Sequence, residues 1–531
     1  MSPTTKNLSS YEAVAITDEI SHPDNKSSWV KAHIIDAKGE QYGTEVSSNE
    51  IQESATKYND VSFAIAFLLH LAVAIIYGVS FYFTHDLPEA EQDLKYSFSA
   101  PGIVLMLVVP TSLVAFAVAY HAIAVIAIRV PVSIIYSALS AQTFLNTFFF
   151  LFWFLSSPGL WTLVFFVVGT AISIWYYFAV QVFIPFAAAN LKLAAMGLRS
   201  NIKVFLVALG MGFVGFIYFL GWFLVGSSVA EEAKTNYVKS QDNYYYYYGD
   251  GKTGAVFVAL LFSMYWTITV TANVTQTTVA GVMGTWCFDK FNPAAVSGAF
   301  YRSCVTSFGS ICFGSLLNAI IMTLRYLASN ARENARENGQ DCAALLACIA
   351  QCILSCIQDL IEYFNQWAYV FVGVYGSTYL ESGKMVFELF KARGFTSIIS
   401  TDLVSYFLFC IVSISGLLSG LTGIFFCKTS EVIFGSEFLF GDQDYSLWVP
   451  FGISYVVGIV VAASVTNVVQ AGVKTIIVCF ADDPFKVHEN HPEETKALSE
   501  SLSRVFPGVA SPIFSDVLNR SDQRSANNAR V

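Results

Sequence analysis

Apolar positions along most of this chain neither alternate with polar ones nor recur every third or fourth residue; they run unbroken. Between Val61 and Cys479 about ten such stretches occur, each almost free of charge. The first, VSFAIAFLLHLAVAIIYGVSFYF at Val61–Phe83, holds no Lys, Arg, Asp or Glu. About 20 apolar residues in a helix match the thickness of bilayer hydrocarbon. The pattern therefore predicts an all-α polytopic integral membrane protein with about ten transmembrane helices. Spans are expected near Val61–Phe83, Pro101–Ala127, Pro131–Leu155, Leu160–Pro185, Val204–Val225, Val256–Val282, Val305–Leu327, Cys342–Ile361, Leu403–Phe426 and Val449–Val478. Pro110, Pro131, Pro185 and Pro450 fit helix starts, kinks and ends.

Polar sequence frames this bundle. Residues 1–60 are expected to form a disordered cytosolic tail, 61–480 the membrane bundle and 481–531 a second cytosolic tail. The opening MSPTTKNLSSYEAVAITDEI lacks the basic and apolar regions of a signal peptide, so the first span is expected to serve as the targeting signal. Orientation follows from Lys and Arg, which are retained on the cytoplasmic side. Segment 187–203 holds Lys192, Arg199 and Lys203 without an acid, and 382–400 holds Lys384, Lys391 and Arg393 against Glu388. Segment 85–100 holds Asp86, Glu89, Glu91 and Asp93 against Lys95, and 428–447 holds Glu431, Glu437, Asp442 and Asp444 against Lys428. Ten spans with both termini cytosolic put the basic pair inside and the acidic pair outside.

Composition narrows the function. Hydrophobic residues make up 55% of the chain and charged residues 13%, against about 25% charged in soluble domains. The net charge of −10 comes with no basic stripe, so nucleic acid is not an expected partner. There is no H-E-x-x-H, G-x-S-x-G, P-loop or phosphotransfer motif, so neither an enzyme nor an ATP-driven pump is expected. No catalytic residue, metal or cofactor is assigned. Cys348, Cys352 and Cys356 recur on one helix face and read as small packing residues rather than metal ligands. Gly210, Gly212 and Gly215 spell G-x-G-x-x-G inside an apolar run with no βαβ context; like Gly416 and Gly420, they read as close-approach points between helices. NYYYYYGDG at 243–251 reads as an interfacial aromatic belt. His70 and His121 stand alone in their spans.

Aromatic and uncharged polar residues remain within the spans, the aromatics making up 15% of the chain. Trp175, Tyr176 and Tyr177 cluster in one span; Tyr265, Trp266, Asn273, Gln276 and Trp286 lie along another. Asn318, Glu362, Tyr363, Asn365, Trp367, Tyr369 and Tyr375 follow. In Cys342–Gln366 the residues Gln351, Gln358, Asp359, Glu362, Asn365 and Gln366 share about a third of the helical circumference, which suits an aqueous cavity or an interfacial helix. A quaternary ammonium ion has no N–H to donate and is best held by aromatic faces near a carboxylate. The residues assigned to such a site are Trp266, Tyr369, Glu362, Asn365, Gln276, Trp175, Tyr177 and Asn318.

Four stretches resemble the choline transporter-like family, particularly its fungal plasma-membrane branch. They are QTTVAGVMGTWCFDK (276–290), FYRSCVTSFGSICFGSLLNAII (300–321), EYFNQWAYVFVGVYGSTYLESGK (362–384) and FADDPFKVHENHP (480–492). The amino-terminal third is similar in hydropathy alone, and residues 84–100 are too short for the cysteine-bearing loop of the animal members. The resemblance implies ten spans, cytosolic termini and transport of choline or ethanolamine-like cations. Together these readings give a facilitated, ATP-independent plasma-membrane transporter of a small organic cation, working by alternating access with the lipid bilayer as its setting. The alternative is a non-transporting membrane scaffold or lipid-handling protein.

Overall fold

The computed structural model describes residues 34–35, 41–42, 58–84, 107–238, 251–289, 294–393, 396–434, 447–482 and 484–505. Most of the expected amino-terminal tail, the run 243–250 and residues 101–106 lie outside the described residues. Apart from an antiparallel pairing of Ile34–Ile35 with Gln41–Tyr42, the regular structure is helical. The helices are α1 (Val61–Thr84), α2 (Val109–Arg129, with a π turn at Ala122–Ile126), α3 (Pro131–Ser156), α4 (Leu160–Val180) and α5 (Ile184–Ser200). They continue with α6 (Lys203–Val238), α7 (Gly251–Phe288), α8 (Ala295–Cys304), α9 (Phe308–Glu337) and α10 (Asp341–Tyr375). The last are α11 (Tyr379–Arg393), α12 (Thr396–Phe434), α13 (Trp448–Asp482), α14 (Pro484–Asn490) and α15 (Pro492–Val505). Among the described residues ten stretches are long and apolar enough to cross a membrane, Leu160–Ser200 counting as one. The protein is a polytopic all-α membrane protein.

Prolines and small residues shape the bundle. Pro131 and Pro185 sit in the first turns of α3 and α5, where a missing N–H costs nothing. Water supplies no drive between helices inside lipid, so close backbone approach must hold them together. The α12–α13 pair does this: a Cβ on Gly416 would meet Ile459, one on Gly420 would meet Phe451, and one on Gly458 would meet Ser419. Ser419 also donates to the Thr111 carbonyl at 3.2 Å, tying in α2. Gly212 faces Ser464 and Gly215 faces Thr271, so these two glycines of the G-x-G-x-x-G run are close-approach points, while Gly210 faces open space. The outer surface is apolar, as on α1, where Leu69 and Ile76 are 63% and 68% exposed.

Two basic segments read as connections are largely helical. Residues 187–203 fall mostly in α5, which buries Ala187, Leu191, Ala194, Ala195 and Leu198 and leaves Arg199 exposed. Residues 382–400 fall mostly in α11 and the start of α12. Their apolar residues recur at helical spacing, but the charges between them broke up the apolar run. Beyond residue 480, α14 and α15 dock onto the bundle: the His491 ring stacks on Trp286 at 3.6 Å, and Asn490 donates to the Cys287 carbonyl at 2.9 Å.

Several helix ends meet where α1 begins. Asn59 donates from Nδ2 to the Gly376 carbonyl at 2.5 Å, and its backbone N–H to the Thr306 carbonyl at 2.9 Å. The Asp60 carboxylate accepts from Ser310 Oγ at 2.6 Å and from the Tyr379 N–H at 3.1 Å. Asp60 has φ 51°, a left-handed conformation that Asp tolerates better than most residues. The dipeptide thus joins the end of α10 to the starts of α1, α9 and α11, satisfying groups that helix termini leave open.

Candidate functional site

Part of the aromatic and amide set is assembled where α1, α7, α9, α10 and α11 pack together. Trp266 on α7 is 4% exposed and donates its indole N–H to the Cys312 carbonyl at 3.1 Å. Its ring is covered by Phe67 at 5.2 Å, Phe262 at 5.6 Å and His70 at 4.7 Å. Tyr369 on α10, buried to 1%, donates to the Ile311 carbonyl at 3.3 Å. One turn before it, Asn365 donates to the Gly314 carbonyl at 3.3 Å and accepts from the Tyr379 hydroxyl. Burial pushes the Tyr379 phenol up to about 12, keeping it the donor in that bond. Asn273 donates to Ser315 Oγ at 2.9 Å. Gly314 makes the assembly possible, because a Cβ there would collide with the Tyr369 hydroxyl and the Tyr379 ring.

The other assigned residues lie elsewhere. Gln276 donates to the Gln366 carbonyl at 2.7 Å, linking α7 to α10. Glu362 accepts from Gln358 at 2.7 Å, and Gln358 accepts from Arg325 at 2.9 Å, so this carboxylate ends a polar chain between α9 and α10. Asn318 is buried, and its Oδ1 has no hydrogen-bond partner among the described residues. Trp175 is 69% exposed on the outer face of α4, away from the Trp266–Tyr369 core. Tyr177 is half-buried near Ser140 at 3.5 Å and likewise apart from that core. Cys352 and Cys356 are exposed on α10 and Cys348 is half-buried; they pack less than their spacing suggested, because that face of α10 points out of the bundle. His70 is not isolated: its Nε2 pairs with Ser263 Oγ at 2.7 Å, and Ser263 also pairs with the Tyr218 hydroxyl at 2.6 Å.

A second polar region, between α4, α10, α12 and α13, was not anticipated. Lys474 on α13 is 3% exposed and donates to Gln366 Oε1 at 2.5 Å. A buried ammonium needs compensation; beyond Gln366, the Asp402 carboxylate on α12 lies within electrostatic reach of it. Asp402 itself is exposed. It also lies within electrostatic reach of the Tyr176 and Tyr363 hydroxyls. Tyr176 packs edge-on against Tyr406, with ring centroids 6.2 Å apart at 75°. One turn along, Gln470 donates to Ser405 Oγ at 3.3 Å. A cavity of about 200 Å³ opens there, lined by Ser405, Phe409, Thr466, Asn467 and Gln470 among others. Part of the signal for this region was available: Lys474 lies inside an apolar run, where a charge is a functional-site candidate, whereas Asp402 stands just before the Leu403–Phe426 run.

A family model described as plasma-membrane choline transporter matches residues 164–485, which include every residue of the second region. Protein PNS1 of Mycosarcoma maydis is 28% identical over 350 residues, 65% of this chain and 64% of the relative. Protein PNS1 of Neurospora crassa is 31% identical over 337 residues, 62% of this chain and 58% of the relative. A CTL-like protein of Dictyostelium discoideum is 26% identical over 386 residues, covering 70% and 64%. These matches span somewhat under two-thirds of each relative's own length. With more than half of its length matched by the family model, and with the ten-span architecture beneath it, the chain belongs to the choline transporter-like family.

Proposed function

We propose that this chain is a multi-pass plasma-membrane transporter of choline or a related small organic cation, facilitated and without an ATP step. The observation that carries the reading is the family match over residues 164–485, the range that holds most of the polar interior. A potential of about 100 mV, negative inside, contributes about 2.3 kcal/mol per charge, roughly a fiftyfold accumulation, so a cation needs no coupled ion. The transport cycle is alternating access around the polar interior. In that cycle the Trp266, Tyr369, Asn365 and Gln276 packing forms a closed barrier that must rearrange as substrate passes.

Both termini face the cytosol in this proposal, with 1–60 and 481–531 as cytosolic tails flanking the 61–480 bundle. The basic residues Lys192, Arg199, Lys203 and Lys384 support that orientation. Uptake of radiolabelled choline by the purified protein in liposomes, with an imposed potential as the variable, tests the transport. Saturable, potential-dependent uptake is expected; an inert protein favours the scaffold or lipid-handling alternative. An epitope at Ser2 or Val531 should be inaccessible on intact cells, and labelling of either from outside would overturn the orientation.

A further inference from the structure

Beyond the last span the chain turns back and docks on the bundle as α14 and α15. Pro484 and Pro492 open these two helices, where a missing N–H leaves no helical acceptor unpaired. In α15, Thr495, Leu498 and Ser499 share one buried face, while Glu493, Lys496 and Glu500 stay exposed. Val487 of α14 is buried as well. The contacts converge on the end of α7. His491 stacks on the Trp286 ring at 3.6 Å, and its Nε2 lies 3.0 Å from the Trp286 carbonyl, so that nitrogen carries the proton and donates. Asn490 donates to the next carbonyl, that of Cys287, at 2.9 Å, and Lys486 stands over the Phe288 ring at 5.7 Å. These carbonyls belong to the last turn of α7, whose acceptors have no helical donor. Trp286 also meets α5, because a Cβ on Gly197 would touch both Trp286 and Met283. α15 packs along α5 in turn. The helix pair thus bridges α5 and α7 at one end of the bundle, the cytosolic end in the proposed orientation.

We infer that α14 and α15 form a latch on the inner gate: docked, the pair ties the ends of α5 and α7 together, and it must lift before that end of the bundle can open. The inference adds a regulation to the transporter reading and rests on it for what passes through the gate. Alternating access requires the two ends of the bundle to open in turn, so a bridge across one end holds that end shut. Direct contact between α5 and α7 runs through a glycine and a flexible methionine side chain, which part easily unless tied. Asn490 and His491 stand at the joint between α14 and α15, so breaking their bonds to α7 frees both helices at once. A small docked unit with few buried apolar side chains belongs to the low-stability end of a fold, from which moving elements are drawn.

The test uses the full-length protein in nanodiscs. Hydrogen exchange over 484–505 reports lifting of the tail. Labelling of Met283→Cys by a water-soluble maleimide, read residue by residue in a mass spectrometer, reports opening of the gate, since Met283 is buried between α7 and α5. His491→Ala should speed both by roughly tenfold or more, because it removes a ring stack and a hydrogen bond. His491→Phe, which keeps the stack, should speed them less. Asn490→Ala should speed both by roughly fivefold, and it decides the matter if His491→Ala does not fold, as judged by size exclusion. In liposomes the same variants should raise the initial rate of potential-driven choline uptake severalfold. Unchanged exchange over 484–505 in His491→Ala and Asn490→Ala would overturn the latch. A freed tail with Met283→Cys still protected would also overturn it, as would uptake no faster than wild type in a protein that carries choline. Faster exchange and faster labelling in a protein that carries no choline would leave the latch standing and refute the transporter reading alone.

Discussion

Two polar regions share one bundle and are built in opposite ways. Around Trp266 and Tyr369, indole, phenol and amide groups are spent on backbone carbonyls, and neighbouring rings close over their faces. Around Asp402 the rings are half-buried, the acid is open, and the buried Lys474 ammonium across the α12–α13 interface is bonded to Gln366 Oε1. Aromatic richness is common to both, so composition does not tell a sealed cluster from an open one. The separation comes from how far neighbouring groups cover each ring and each charge.

The contrast predicts that substitutions in the sealed region cost stability and those at open side chains cost little. Trp266→Ala should have the largest effect, destabilising the fold by about 3 kcal/mol or more, as deletion of a fully packed ring does. A thermal unfolding series in detergent would show it, and a wild-type midpoint would break the contrast. Gly314→Ala should cost about 1–3 kcal/mol, since its methyl group meets Tyr369 and Tyr379. Tyr369→Phe, which removes one hydrogen bond and keeps the ring, should cost about 1 kcal/mol or less and leave choline affinity unchanged; a large loss of affinity would make this core part of a cation site. Trp175→Leu should be the smallest, within about 0.5 kcal/mol and silent in uptake, because the side chain faces outward.

The long apolar runs made the spans legible, and the glycine pairs at 212/215 and 416/420 announced close helix contacts that the structure contains. The choice within Trp175-Tyr176-Tyr177 was not legible. Successive helical residues point about 100° apart, so the inward one cannot be chosen until the face of α4 that meets α12 is known. That residue is Tyr176, which pairs with Tyr406, while Trp175 turns away. Asp402 and Lys474 were obscured for a related reason: each lies toward one end of its span, and what surrounds it depends on how α12 and α13 are registered. His70 looked solitary because its partner Ser263 lies 193 residues away.

The Asn59-Asp60 junction has a consequence in time. Its partners Gly376 and Tyr379 lie 317 and 319 residues downstream. Synthesis at about 5–20 residues per second delivers them roughly 15 to 60 s after the junction leaves the ribosome. During that interval α1 has only lipid and the earlier-made α6 and α7 to pack against, contacts its apolar face permits. Its clasp to α9, α10 and α11 is therefore a late step of biogenesis, and damage to Asn59 or Asp60 would surface as chains that insert normally and then fail quality control.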